Sequence, residues 1–168
     1  MGAAARRSFT ERFIGAARLE IDVYEEVEHD GDATMQAGAV VAMVAAASAI
    51  GGLAEGAEGV ASAIIVSITG WLLWAGITYL IGDKLLGGTA TWGELLRTLG
   101  FAQAPGILLM LVIVPGLGLL VFPFVGIWML FTGVVAIRQA LDFGTGRAIA
   151  TALLGLVPYV LLRILVIA

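Results

Sequence analysis

The 168-residue chain contains no cysteine, no asparagine and a single histidine, His29. Without cysteine there can be no disulfide framework, thiolate zinc site, iron–sulfur cluster or cysteine nucleophile. One histidine excludes multi-histidine metal sites and a histidine pair for haem, and the missing asparagine leaves no acceptor for N-glycosylation. Charge is scarce as well: 13% of residues are charged against 60% hydrophobic, with a formal net charge of −4. A soluble domain of that composition could not cover its surface with polar groups, and the apolar residues fall in blocks rather than stripes. The solvent around this chain is therefore lipid. Glycine, by contrast, is abundant at 23 residues, roughly twice its usual share of about 7%. In a membrane protein that points to close helix packing.

The few charges are unevenly placed. Seven of the 13 acids (Glu20, Asp22, Glu25, Glu26, Glu28, Asp30, Asp32) lie in one short stretch, and Arg6, Arg7, Arg12 and Arg18 lie within or just before it. The reading is a polar arm over residues 1–32 followed by a transmembrane domain over residues 33–168. Within that domain five apolar runs have the ~20-residue length needed to cross a hydrocarbon core about 30 Å thick. They are Ala33 to Leu53, Gly59 to Ile81, Leu95 to Val114, Leu117 to Ile137 and Ala148 to Ile167. The fold class expected is an all-α integral membrane protein, with about five transmembrane helices preceded by a short amphipathic cytoplasmic arm.

Orientation follows from the cations beside the spans. The arm, Lys84 and Arg97 after the second span, and Arg138 and Arg147 after the fourth all fall on one side, which places the amino terminus in the cytoplasm and the carboxyl terminus outside. Arg163 is expected to reach outward to the opposite surface. The first residues run straight into charged sequence with no apolar core of a signal peptide, so Met1 is expected to be retained. Between Ile107 and Ile137 the oil is nearly continuous, and one helix of about 31 residues would be some 46 Å long. Pro115-Gly116 is the natural break, giving either two tight crossings or a re-entrant hairpin. Pro105 is expected to kink or divide the third segment, and Pro123 to bend the start of the fourth.

Ser8-Phe9-Thr10-Glu11 has capping-box spacing, so a helix should begin near Phe9. At 100° per residue Phe9, Phe13, Ala16, Ala17, Tyr24 and Val27 share one face, interrupted by Glu20, with Arg12, Arg18, Asp22 and Glu25 opposite. Two readings stand side by side: a helix lying in the membrane interface with its arginines near anionic headgroups, or an arm packed on the protein's own loops. The acidic stretch does not have the ligand spacing of an EF-hand and reads as a solvated linker. Its sign argues against nucleic acid as a partner. Thr91-Trp92-Gly93-Glu94 is a second capping box, with Trp92 an interfacial anchor, and Gly87-Gly88 before it reads as a flexible connection.

Chemistry inside a bilayer needs polar groups that are expensive to bury. Glu55, Glu58, Asp83 and Asp142 all lie at span ends, and Gln103 is the one strongly polar side chain well inside an apolar run. No His/Asp/Glu relay, no Ser/His pair and no phosphate-binding glycine loop with its lysine is present, and neither catalysis nor a resident cofactor is expected. The spans carry small residues instead: Gly38, Ala42 and Ala46 mark one side of the first span. That face serves either packing among the protein's own helices or association with another membrane protein.

Three blocks carry a family resemblance: ARLEIDVYEEVEHD before the first span, GWLLWAGITYLIGDKLLGGTATWGELLRTLGFAQAPG in the middle, and VVAIRQALDFGTGRAIA before the last. From about Arg12 to its end the chain resembles bacterial members of the Yip domain family, small membrane proteins related to the Ypt/Rab-interacting proteins of eukaryotes. The resemblance implies five spans and a cytoplasmic amino terminus. Eukaryotic members act in vesicle budding and bind small GTPases through an acidic, tyrosine-containing amino-terminal region. Tyr24, Glu25 and Glu26 occupy a comparable place here on a far shorter arm. Eight arginines to one lysine fit a GC-rich bacterial genome and hence the bacterial cytoplasmic membrane.

The functional expectation is a non-enzymatic membrane protein that binds partners or organises membrane, in contact with lipids and with other membrane proteins or a second copy of itself. Candidate partner or lipid contacts are Arg12, Arg18, Tyr24, Glu25, Glu26, Trp92, Arg138, Asp142 and Arg147, with Gly38, Ala42 and Ala46 as the helix-packing face. The alternatives are an accessory subunit of a large bioenergetic or photosynthetic complex, and a small channel or transporter using Gln103 and a re-entrant element at Pro115.

Overall fold

A computed structural model describes residues 6–167, without the side chains of residues 158, 159, 162, 163, 166 and 167. The expected reach of Arg163 lies outside the described side chains. The described residues form helices without a strand: α1 (Phe9–Ala17), α2 (Ile21–His29), α3 (Ala33–Gly51), α4 (Gly56–Thr78), α5 (Trp92–Phe101), α6 (Gly118–Ala140) and α7 (Thr145–Ile167). A short 3₁₀ turn, Gly52–Glu55, joins α3 to α4. A π-helical segment, Tyr79–Leu85, extends α4, and a second 3₁₀ segment, Ala104–Ile113, follows α5. The chain is an all-α membrane protein.

Both capping boxes form. Ser8 Oγ accepts from the Glu11 amide at 3.3 Å while the Glu11 carboxylate accepts from the Ser8 amide at 2.7 Å. Thr91 and Glu94 repeat the pattern with the same two distances. These reciprocal bonds satisfy amide donors that a helix start otherwise leaves orphaned, and so set where α1 and α5 begin.

Each of the five apolar runs becomes a helical segment, but they are not equivalent. The stretch from Ala33 to Leu85 and helix α6 are long and apolar enough to cross a membrane; α5 and the following 3₁₀ segment qualify only when taken together, bent by 45° at their junction. Proline at 105 stands at the first turn of that segment, where its missing N–H breaks no bond. Ten residues at ~1.5 Å in α5 and ten at ~2.0 Å in the 3₁₀ segment span about 35 Å, comparable to the hydrocarbon thickness. The chain reverses at Pro115-Gly116, where Gly116 takes φ +82°.

Two faces define the bundle. Outward lie large apolar side chains, among them Ile65 and Leu72 on α4, Leu119 and Phe131 on α6, and Leu153 and Leu161 on α7, each at least 40% exposed. Soluble proteins rarely leave so many large apolar side chains uncovered. Inward, the largest buried cluster joins Tyr24, Val27, Val40, Trp74, Leu95, Leu99, Phe101, Ile137 and Leu141. It lies toward the end of the bundle where the amino-terminal helices sit.

The small-residue face, read as serving either packing among the protein's own helices or association with another membrane protein, is turned outward, away from the protein's own core. Ala42 and Ala46 are exposed, Gly38 is half-buried, and a Cβ on Gly38 would meet nothing within 4 Å. The buried side of α3 carries Ala33, Ala37, Val40, Val41, Val44 and Ala45 instead. Because α3 is apolar around its whole circumference, its sequence gives no stripe by which to tell the two sides. The tightest packing lies elsewhere: the Trp74 indole is wedged between Gly133 and Gly155, where an added Cβ would come within 2.2 Å and 2.6 Å of its ring. The Gly87-Gly88 connection is likewise not loose. Leu141 covers Gly82 and Gly88, and the Gly88 amide donates to the Gly82 carbonyl at 3.0 Å.

Candidate functional site

The arm is neither one helix nor a linker. It folds as two short helices that turn at Arg18-Leu19-Glu20, with Leu19 in the left-handed region at φ +65°. Glu20, the residue that interrupts the amphipathic stripe, stands at the start of α2. Ala16, Tyr24 and Val27 of that stripe are wholly buried, and Phe9 and Phe13 pack against the same core. Phe9 lies 6.4 Å from Phe101 of α5, ring centre to ring centre. The apolar face therefore turns onto the protein itself, where it removes hydrophobic surface from solvent. Of the two readings of the arm, the structure displays the packed one.

Polar anchors complete the docking. The Arg12 guanidinium is fully buried; it donates to Glu26 at 2.6 Å and 3.0 Å, to Asp30 at 2.7 Å and to Gln36 of α3 at 2.9 Å. Arg7 makes a second pair with Glu26 at 2.8 Å, and Arg6 pairs with Asp30. The carboxylate of Glu26 is partly desolvated by burial, but Arg12 and Arg7 outweigh this and hold its pKa below the usual range. Asp30 is held well below its usual value, first by Arg6. Tyr24 donates its buried hydroxyl to the Ala16 carbonyl at 2.9 Å, tying the two short helices together.

Three residues of the bundle grip this pair from outside. Arg97 on α5 donates to the carbonyls of Val27 and Glu28, two of the acceptors left free at the carboxyl end of α2. Gln139 on α6 donates to Glu25 at 2.8 Å. Trp128, also on α6, donates its indole N–H to the Ala17 carbonyl at 2.8 Å. Trp128 stands eleven residues before Gln139, or about 16.5 Å along the helix axis. Helix α2 thus lies along α6, while α1 packs on α5 and the 3₁₀ segment. The hairpin exposes Ile14, Leu19 and Ile21.

Among the residues singled out in the sequence, Arg12 and Tyr24 are buried anchors and have no surface to offer a partner or a lipid. Glu26 is held between Arg7 and Arg12. Arg18, Glu25, Arg138, Asp142 and Arg147 are exposed. Asp142, at φ +53°, accepts from Thr89 at 2.9 Å, which joins the α6–α7 turn to the loop before α5. Arg147 lies over the Phe143 ring, and Trp92 is 41% exposed with its ring edge-on to Tyr79. Glu25 and Asp142 share one region with Glu28 and Glu94; burial first, and then these neighbouring carboxylates, push the Glu28 pKa up to about 7.

Arg97, Trp128, Gln139, Gln36 and Glu28 were not legible as members of this site. Arg97 lies 69 residues from the carbonyl of Glu28 and Trp128 lies 111 from that of Ala17. Both donate to backbone oxygens, which carry no side-chain signature in a sequence.

Neither the curated proteins nor the solved structures include a match to this chain. The Yip1 domain family does match, over residues 23–167, which takes in most of α2 and α3 to α7. With that match covering most of its length and an all-α membrane architecture to go with it, the chain belongs to the Yip1 domain family.

Proposed function

We propose that this is a non-enzymatic, five-span membrane protein that presents its amino-terminal hairpin in the cytoplasm as a rigid platform for partner proteins. The observation that supports this most is the anchoring. Arg12 and Tyr24 fix the hairpin from within and Arg97 and Trp128 from the bundle, while Arg18, Glu20, Asp22 and Glu25 remain exposed on it. A surface held in one conformation loses little entropy when a partner docks. The sequence supports the non-enzymatic part, since ionisable groups are confined to span ends and loops.

Purification in mild detergent followed by native mass measurement tests the platform. The expected result is a stoichiometric complex with another protein, lost on the charge reversals Arg18→Glu and Glu25→Lys. A lone monomer or homodimer, indifferent to those changes, counts against it. Cysteines introduced at Gly31 and Glu55 should label from opposite sides of the membrane, and labelling from one side would reject the five-span topology.

A second reading is favoured by the depth of the hairpin. On α6 the large exposed apolar residues run from Leu119 to Phe131, about 18 Å along the axis and short of the ~30 Å core. Beyond Phe131 the hairpin stands where lipid would otherwise be, so it would displace one leaflet on that flank and shape the surrounding membrane. A spin label at Leu19 should then report access to oxygen as in a bilayer. Access as in bulk water would reject this reading.

A further inference from the structure

The half of the bundle away from the hairpin holds a partly open cavity of about 300 Å³ between α3, α4, the 3₁₀ segment Ala104–Ile113 and α6. Its walls are mostly apolar, with Val44, Trp71, Leu109 and Met129 among them. Gln103 is 5% exposed and lines this space, at the break between α5 and the 3₁₀ segment. Among the described residues nothing forms a hydrogen bond with its side-chain amide. Ser48 and Ser62, both half-buried, line the same space. The Gln103 amide is not sealed off but faces this space, so its donor and acceptor are available to an occupant there. Broken helices inside a membrane are tolerated where they line a cavity.

From this geometry we infer that the cavity binds one neutral amphiphile, an aliphatic chain or ring carrying an uncharged carbonyl that accepts from the Gln103 amide. Among the described residues no lysine or arginine lines the space, and its one carboxylate there, Glu55, is exposed, so these residues offer an anionic headgroup no counter-charge. The volume lies at the lower end of the ~300–1,000 Å³ usual for ligand pockets, which suits a single chain or a ring with a short tail. The carbonyl can come from the acyl ester of a glycerolipid or from a quinone ring.

The test uses the full chain in lipid nanodiscs with two photoactivatable probes, a monoacylglycerol with a diazirine in its chain and a decyl benzoquinone with a terminal diazirine. The result expected is saturable labelling of the cavity wall, near Leu109 or Met129, by at least one probe. Labelling by the glyceride alone, the quinone alone or both supports the site and identifies its source of carbonyl. Gln103→Leu should weaken the apparent affinity about tenfold, the value of one neutral hydrogen bond. Gly126→Trp should abolish labelling, since Gly126 lines the cavity and a Cβ there meets nothing within 4 Å. Labelling confined to outward residues such as Leu153 and Leu161, or equal labelling of the cavity in all three proteins, overturns the inference.

Discussion

Replacing Arg12 by methionine should release the amino-terminal hairpin while leaving the membrane helices folded. Arg12 is fully buried and makes four hydrogen bonds, three of them to carboxylates. Removing one partner of a buried ion pair typically costs ~3–5 kcal/mol, because the opposite charge is left uncompensated. Here Glu26 keeps Arg7 and Asp30 keeps Arg6, and their side chains are 22% and 13% exposed. The loss should therefore fall at the lower end, about 3 kcal/mol. Hydrogen exchange of the protein in nanodiscs reads this directly, since the hairpin opens as a local unit. At about 1.4 kcal/mol per tenfold, exchange of the α1 amides should accelerate on the order of 10²-fold, with little change in α3 and α6. Pairing the change with Glu26→Gln should give a total below the sum of the single effects, because both remove the same contact. A change of less than about threefold in α1 exchange would refute the reasoning.

Two further outcomes follow from packing and charge. Gly133→Ala should destabilise the bundle by about 1–3 kcal/mol through overpacking against Trp74, whereas Gly38→Ala should be close to neutral; equal thermal shifts for the two variants would reject the assignment of the inner face of α3. The raised pKa of Glu28, about 7, means that the folded state holds its proton more tightly than the unfolded chain does. Stability of the hairpin should then fall as pH rises from near 5 through 7. His29, whose pKa is also raised, first by the Glu25 carbonyl, acts in the same direction. Glu26 and Asp30 work oppositely: their depressed pKa values contribute stability that is lost only as pH falls below the usual carboxylate range. Exchange protection of α2 between pH 5 and 8 should therefore decline in the native protein and flatten in Glu28→Gln. An unchanged slope in that variant would exclude Glu28 as the cause.

Much of the architecture could be read from single residues. Ser8 with Glu11 and Thr91 with Glu94 announced two helix starts, because capping is a local bargain between a side chain and amides three residues away. Pro115-Gly116 and Pro105 marked breaks for equally local reasons. The confinement of charge to the arm and span ends, together with the three motif blocks, was enough to place the chain in lipid and within its family.

Orientation about the helix axes was a different matter. An amphipathic helix such as α1 declares its inner face, and Phe9, Phe13 and Ala16 duly turn inward. Helix α3 is oily on every side, so burial gains nothing from one rotation over another until neighbours are present. Only the assembled bundle turned Gly38, Ala42 and Ala46 outward and brought Val40 and Val44 in. The same holds for the anchors. Arg12 read as a contact for a partner or a lipid because Glu26, Asp30 and Gln36 meet it only after the chain reverses at Leu19. The sequence by itself determined the solvent, the helix starts and the family. Tertiary structure decided which side of each apolar helix is inside, that the arm is docked, and that Gln103 opens onto a cavity, because each depends on contacts between residues far apart in the chain.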